Sequence, residues 1–212
     1  GAVGMPRIFI TLLLLLVWPQ LSISEAVDRQ QQLQAVIAQL APAGSIRSRF
    51  TQTKTMQLLS RPLVSNGQMI FDPELGLYWQ LETPFVTTLL VNQRRIVQIS
   101  GEQRSTLTSD EQPAVFAFST IFFQLLSGNL AGLEEQFTIK QIPLQAAAWQ
   151  IALTPKDSQL RAVIAQVELL GADDLEKITI KDHAGDMTTI EFQQRVNNAK
   201  PLSEQEQQYF AC

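Results

Sequence analysis

Residues 114–126 read AVFAFSTIFFQLL, and this stretch decides the fold. It carries Phe116, Phe118, Phe122 and Phe123, four of the eleven phenylalanines of the chain, and no charge. Pro113 precedes it, at the helix position where a missing N–H costs little. Gly128 and Asn129 follow as a stop signal. The pattern predicts a helix whose apolar residues run nearly all round. On both sides the sequence alternates with period two, as half-buried strands do. A greasy helix midway through a strand series predicts a plug or lid on the concave face of a curved sheet. A sheet covered in that way is a natural container for an acyl chain.

Working outward, Val27, Leu33, Val36, Ile37 and Leu40 fall at helical spacing opposite a glutamine-rich face, so residues 28–40 read as an amphipathic helix. Pro42 and Gly44 stop it. The first strand then sets Ile46, Phe50, Met56 and Leu58 on one side and Arg47, Arg49, Thr51 and Thr53 on the other. Residues 63–71 form the next, with Gly67 as a bulge or bend, and Asp72-Pro73-Glu74 with Gly76 makes the turn. Leu77, Trp79 and Leu81 alternate with Tyr78, Gln80 and Glu82 in a third strand. Further strands are read at 85–91, 94–100 and 103–107 before the lid helix, the last two a hairpin around Gly101-Glu102. After it come a helical turn at 130–135 and strands at 137–142, 149–154, 163–169, 175–181 and 187–196. The connecting turns carry Pro143, Pro155-Lys156-Asp157, Gly171-Ala172-Asp173 and Asp182-His183-Ala184-Gly185. Ser203 and Glu206 fit a capping box on a last short helix. A meander of ten or eleven strands must twist and curl into an open or partly closed barrel. The fold class is therefore mainly β, a half-open antiparallel barrel with a helical lid.

The N-terminal stretch reads as a secretory signal peptide. Arg7 is the positive region, residues 8–17 are uncharged, and Ser22, Ser24 and Ala26 are small. Cleavage is expected after Ser24 or Ala26, with Met5 as the start and residues 1–4 upstream of it. The apolar run is half of the roughly 20 residues that span a bilayer; an uncleaved anchor is the alternative. No cysteine lies near the cleavage point, so lipid anchoring there is not expected. Residues 1–24 are thus assigned to the signal and 25–212 to a single exported domain, about 185 residues, enough for a sizeable core. Removing 1–24 takes away Arg7 and no acid, so a net charge of −4 becomes −5. A mildly acidic chain without a basic stripe is a poor nucleic-acid binder. The one cysteine, Cys212, is the last residue and admits no internal disulfide.

Nothing in the sequence assembles an enzyme, a metal site or a cofactor site. The single histidine, His183, sits in a turn between acids. There is no nucleophile elbow, no metal-spaced His/Cys cluster and no phosphate loop, and Asp173-Asp174 and Asp182/Asp186 read as turn residues. A dry cavity is the alternative chemistry. Its candidate lining is Phe50, Phe71, Leu77, Trp79, Leu81, Leu89, Phe137, Trp149 and Ile151 from the sheet, with Phe116, Phe118, Phe122 and Leu125 from the lid. Each buried methylene contributes about 0.8 kcal/mol, so a C16 chain gains on the order of 10 kcal/mol before entropic costs. The competing reading is that these residues simply pack a core, since a barrel of this size can be filled by its own side chains. If the lid reading holds, Phe122→Asp abolishes lipid uptake without unfolding. Arg49→Ala, on the face away from Phe50, leaves uptake unchanged.

Arg49-Phe50-Thr51-Gln52, then Gly67 and Phe71, Pro73, Trp79, Pro84, Val91, and later Leu153-Thr154-Pro155-Lys156 come in an order that resembles the periplasmic lipoprotein carriers of Gram-negative bacteria, the LolA family. The resemblance spans nearly all of the chain after residue 24. It implies an incomplete eleven-stranded barrel with a helical lid and an apolar interior. Such a carrier receives the acyl chains of lipoproteins from an inner-membrane ABC-type transporter and passes them to an outer-membrane acceptor. It implies no cofactor and no covalent chemistry, and a monomer is expected. Two departures suggest a divergent paralogue serving a dedicated lipid. The family's arginine before the turn proline, which holds the lid shut, is replaced by Phe71-Asp72-Pro73-Glu74, and no extra strand follows residues 187–196. A sensor module that recognises lipid or protein with the same sheet and lid is the other class of reading.

Overall fold

In the computed structural model, residues 23–42, 44–92, 95–108, 110–143, 148–197 and 201–211 are described. The expected signal peptide, apart from its last residues, and Cys212 lie outside them. Alternation begins in β1 (Ile46–Thr55), where Ile46, Ser48 and Phe50 are buried and Arg47 and Arg49 point to the other face. β1 is the centre of the sheet: it pairs antiparallel with β2 (Leu63–Asp72) on one side and with β11 (Met187–Asn197) on the other. From β2 a meander runs through β3 (Gly76–Thr83), β4 (Thr87–Val91), β5 (Ile96–Ser100) and β6 (Gln103–Leu107). The second half runs through β7 (Phe137–Pro143), β8 (Trp149–Pro155), β9 (Gln166–Gly171) and β10 (Leu175–Lys181) to β11. The eleven strands lie in the order β6-β5-β4-β3-β2-β1-β11-β10-β9-β8-β7, every pairing antiparallel. There are thus two meanders joined through the first and last strands, and β6 and β7 are left as the free edges of an open barrel.

Helices occupy both faces. α1 (Ile23–Leu40), α2 (Pro113–Leu126), α3 (Leu130–Gln136) and α4 (Ser158–Val163) lie with the concave side, and the chain passes from edge β6 to edge β7 through α2 and α3. Leu33, Ile37 and Leu40 of α1 enter the same core as α2. Gln30 of α1 donates to Glu134 (2.9 Å) and Gln39 to the Asp173 carbonyl (2.6 Å), fixing the helix at both ends. α5 (Glu204–Tyr209) carries the expected capping box between Ser203 and Glu206 and packs on the opposite, convex face. There a second cluster gathers Ile70, Tyr78, Leu90, Val97 and Leu202, with Tyr78 stacked on Tyr209 at 4.7 Å. Arg47 reaches out of β1 to hold α5 through a forked contact with Glu206, Nη2 to Oε2 being 2.8 Å.

Several expected boundaries move. β1 ends at Thr55, so Met56 and Leu58 do not continue its inner face, and Leu58 is 93% exposed. The strand expected at 85–91 begins at Thr87, and Phe85 and Val86 lie in the turn after Pro84, 80% and 60% exposed. The next strand, expected at 94–100, begins at Ile96. The strand expected at 163–169 begins at Gln166, and residues 158–163, of which only Val163 is expected in a strand, form α4 because the Asp157 side chain accepts from Leu160 N at 2.9 Å and starts a helix. Gly67 behaves as expected, with the β2–β3 register shifting between Asn66 and Gly67.

Candidate functional site

The concave face is built around a stack that a glycine permits. Phe50 lies opposite Gly67 across the β1–β2 pair, and its ring rests on Trp79 at 3.8 Å between centroids. A Cβ on Gly67 would stand 2.5 Å from Phe50 Cζ and 2.2 Å from the Gln80 carbonyl, so any larger residue breaks the stack. Trp79 also meets Phe118 at 5.2 Å, Phe122 at 6.2 Å and Phe192 at 6.2 Å, all edge-on. Phe71 meets Phe122 and Phe123 edge-on at 6.5 and 5.5 Å. Edge-to-face contacts of this kind add about 0.5–1.5 kcal/mol each beyond the area they bury. They fasten α2 to β2 and β3, and a tilted contact of Phe122 with Phe192 at 6.0 Å adds β11.

α2 is apolar on nearly every side, as its sequence predicts, but its sides are not equivalent. Ala117, Ile121, Phe122, Leu125 and Leu126 are buried against the sheet and the other helices. Phe116, Phe118 and Phe123 are half-buried. Ser119, the buried polar residue of the helix, is satisfied by donating to the Val115 carbonyl at 2.7 Å. At its C-terminus Ser127 N donates to Phe123 O, and Gly128, at φ +68°, turns the chain into α3, whose cap is Asn129.

Between α2 and one end of the sheet lies a cavity of about 490 Å³, within the usual range of ligand pockets. Phe71, Val91 and Ile96 wall it from the sheet, and Phe116, Phe123 and Leu126 from the helix. Its polar border comes from Asn92, Arg95, Ser119, Thr120, Gln124 and Ser127, and Arg95 is the one charged residue among the described residues that line it. Deeper under α2, Ser48, Met69, Phe122, Leu126, Leu175 and Phe192 enclose a gap of only about 10 Å³. That is hardly room for one water.

All thirteen residues read from the sequence as cavity lining belong to one apolar cluster. Phe71 and Phe116 line the 490 Å³ cavity, and Phe122 borders the small gap. Phe50, Leu77, Trp79, Leu125, Phe137, Trp149 and Ile151 are buried in packed core, whereas Leu81, Leu89 and Phe118 are partly buried against it. The centre of the concave face is thus filled by the protein's own aromatic rings, and the open volume sits toward the β2–β3 and β4–β5 turns. Phe122, only 1% exposed, carries stability as well as the lid contact, so a test by Phe122→Asp also challenges the fold. The polar border was not found from the sequence. Ser119, Thr120 and Gln124 do interrupt the apolar run on one side of the helix, and that was the available signal.

Charged groups stay at the periphery. Burial pushes the Asp72 carboxyl up, but bonds from the Ser45 hydroxyl (2.8 Å) and from the backbone N–H groups of Leu75 and Glu74 outweigh it and hold it below the usual range. Desolvation raises the Tyr78 phenol under α5. His183 is exposed and donates from Nε2 to the Arg161 carbonyl at 2.6 Å. Among the described residues no group of three or more His, Cys, Asp or Glu could hold a metal ion, and no helix is long and apolar enough to cross a membrane.

Against solved structures, the chain is similar to a DUF1329 family protein from Desulfovibrio piger, at 9% identity over 84% of this chain and 95% of that one, with a TM-score of 0.50. It is also similar to a LolA superfamily protein from Nitrosomonas europaea (10% identity, 82% and 95% covered, TM-score 0.46). A third is the lipoprotein LppX of Mycobacterium tuberculosis (12% identity, 82% and 98% covered, TM-score 0.41). At 9% identity the first is a likeness of fold alone. The curated proteins give no match by sequence. The family model for outer membrane lipoprotein carrier protein LolA-like matches residues 22–208, nearly the whole chain, and the protein belongs to that LolA-like family.

Proposed function

We propose that this protein is a periplasmic carrier that binds the acyl chains of a lipoprotein, or of a related exported lipid, beneath α2 and moves them from the inner to the outer membrane. The observation that carries the reading is the Phe-rich α2, which closes the concave side of an open barrel and leaves a 490 Å³ cavity between Phe71, Val91 and Ile96 and its own Phe116 and Phe123. Aromatic edge contacts with Phe71 and Trp79 hold the helix, so an entering acyl chain can exchange one apolar contact for another. Loading displaces the α2 rings from Trp79 and Phe71 and enlarges the cavity along the concave face, toward the remaining residues named from the sequence. No bond is made or broken in this cycle. The donor is an inner-membrane transporter of the ABC or another type, and the acceptor lies at the outer membrane. Each biases the exchange by offering the acyl chain a worse or better apolar environment. Residues 25–212 act as a single carrier domain once the signal peptide is removed.

The test is uptake of a fluorescent fatty acid by the wild type and by Phe123→Asp and Phe116→Asp. Both positions are half-buried and border the cavity, so the variants keep the fold and lose uptake. Uptake at the wild-type level in both refutes this placement of the ligand.

A further inference from the structure

Nine large apolar side chains are exposed among the described residues, and six of them meet at one end of the sheet. Leu58 (93%), Leu59 (43%), Leu63 (53%) and Val64 (53%) belong to the β1–β2 turn and its flank; Phe85 (80%) and Val86 (60%) form the β3–β4 turn. β2 brings the two turns side by side, since Lys54 pairs with Leu63, Asn66 pairs with Thr83, and Asn66 N donates to Thr83 Oγ1 at 3.2 Å. The β10–β11 turn braces the group: Gln57 N donates to Asp186 Oδ1 at 2.8 Å and Gln57 Nε2 to the Gly185 carbonyl at 3.3 Å. The apolar tips therefore project from an ordered edge. This edge is remote from the cavity, whose wall residues Phe71, Val91 and Ile96 lie at the other ends of β2, β4 and β5.

The charge pattern on that edge is local and specific. Residues 54–64 carry Lys54 and Arg61 and no acid, although the whole chain has a net charge of −4. Both cations are exposed and make no ion pair among the described residues. The acids beside them are already engaged. Asp186 accepts from Gln57 N, Asp182 accepts from Asp186 N, and Glu82 pairs with Arg49 at 2.6 Å. A protein interface gathers its apolar residues in a continuous, well-packed patch. Here they stand on the tips of separate turns, flanked by cations. That is how a protein engages a headgroup layer: apolar side chains reach the acyl boundary and Lys and Arg meet anionic lipid.

We propose that this edge docks on an anionic phospholipid surface, with Leu58 and Phe85 entering the headgroup region and Lys54 and Arg61 facing lipid phosphates. The carrier then meets a membrane through its own turns, in addition to any transporter or receptor, and it does so with the sheet end opposite the cavity. The inference does not depend on what the cavity holds.

The experiment is co-sedimentation of the full chain, as the cell processes it, with vesicles of phosphatidylethanolamine and phosphatidylglycerol and with vesicles of phosphatidylcholine alone. The wild type is expected to pellet with the anionic vesicles and to be released by salt. Leu58→Glu and Phe85→Glu each lower partitioning about tenfold, and Arg61→Glu lowers it on anionic vesicles only. Val27→Glu, at an exposed apolar position on α1, partitions as the wild type does. All four positions are exposed, and an unchanged melting temperature identifies the variants that keep the fold. A wild type that stays in the supernatant at every composition overturns the proposal, as do Leu58→Glu and Phe85→Glu variants that bind like the wild type. A concentration-dependent dimer in light scattering that Phe85→Glu abolishes assigns the edge to a second copy, and also overturns it.

Discussion

Phe122→Ala is the substitution that asks most of the lid. Phe122 is 1% exposed and its ring lies 5.5 Å from Phe118, 6.0 Å from Phe192, 6.2 Å from Trp79 and 6.5 Å from Phe71. Truncation removes the transfer energy of a buried ring and leaves a void beside the gap already bordered by Met69, Leu126 and Leu175. Losses of this kind cost about 3–5 kcal/mol. Native domains are stable by only about 5–15 kcal/mol in all. For a chain of this size the melting temperature should fall by about 6–20 °C. Phe123→Ala, one residue on but half-buried at the cavity wall, should cost less than half as much. The assay is thermal unfolding followed by far-UV circular dichroism, with fatty-acid uptake measured on the same samples. Phe122→Ala lowers the melting temperature strongly, whereas Phe123→Ala acts mainly on uptake. If Phe122→Ala leaves the melting temperature within 1–2 °C of the wild type, roughly the effect of a surface change, then α2 is not seated on the sheet in solution and the account of the lid fails.

Gly67→Ala should lower the urea midpoint, by about 1–3 kcal/mol of stability, because the new Cβ meets the Gln80 carbonyl at 2.2 Å; an unchanged midpoint would mean the Phe50–Trp79 stack is not formed. The hydrogen bond from Arg47 holds the Glu206 carboxyl down to about 2, from an ordinary 4.5. A depressed carboxylate contributes stability above its unfolded value, and the contribution is lost as pH falls through the folded one. The grip of α5, about 1 kcal/mol for a partly exposed pair, is therefore full above pH 4.5 and weakens toward pH 2. Hydrogen exchange at Ile70, Tyr78 and Leu90 should rise in that window, and Arg47→Ala should remove the pH step. Arg49→Ala breaks an exposed pair with Glu82 on the convex side; it should shift stability by less than about 1 kcal/mol and leave fatty-acid uptake unchanged, and a large loss of uptake would reverse the assignment of the two faces.

What the sequence made legible was local. Gly101, Asp72-Pro73 and Gly185 mark their turns because few other residues satisfy the backbone there, and Pro113 and Gly128 bound α2 for the same reason. Alternation placed Phe50, Leu77 and Trp79 on the inner face. Pairing of the first strand with the last was not legible, since nothing in Ile46–Thr55 or Met187–Asn197 names its partner, and this contact joins the two meanders into one sheet. Periodicity also carried β1 and β4 too far: Leu58, Phe85 and Val86 fit the alternation but lie in turns. α4 escaped because its one strong signal is the Asp157 cap, which reads equally well as a turn. For the candidate site, composition gave the residues of the apolar cluster but not their division. Whether Phe50 or Phe71 borders open volume depends on where α2 rests across the sheet, and aromatic contacts between distant segments set that position.

Native mass spectrometry, with lipid extraction, of protein gently recovered from a Gram-negative periplasm tests the central claim most directly. The account predicts a mature chain carrying an acyl lipid or a lipoprotein adduct, lost on extraction and absent from Phe123→Asp. A clean mass without ligand, together with no uptake of a fluorescent fatty acid, would contradict it and leave the concave face as a packed core that recognises protein.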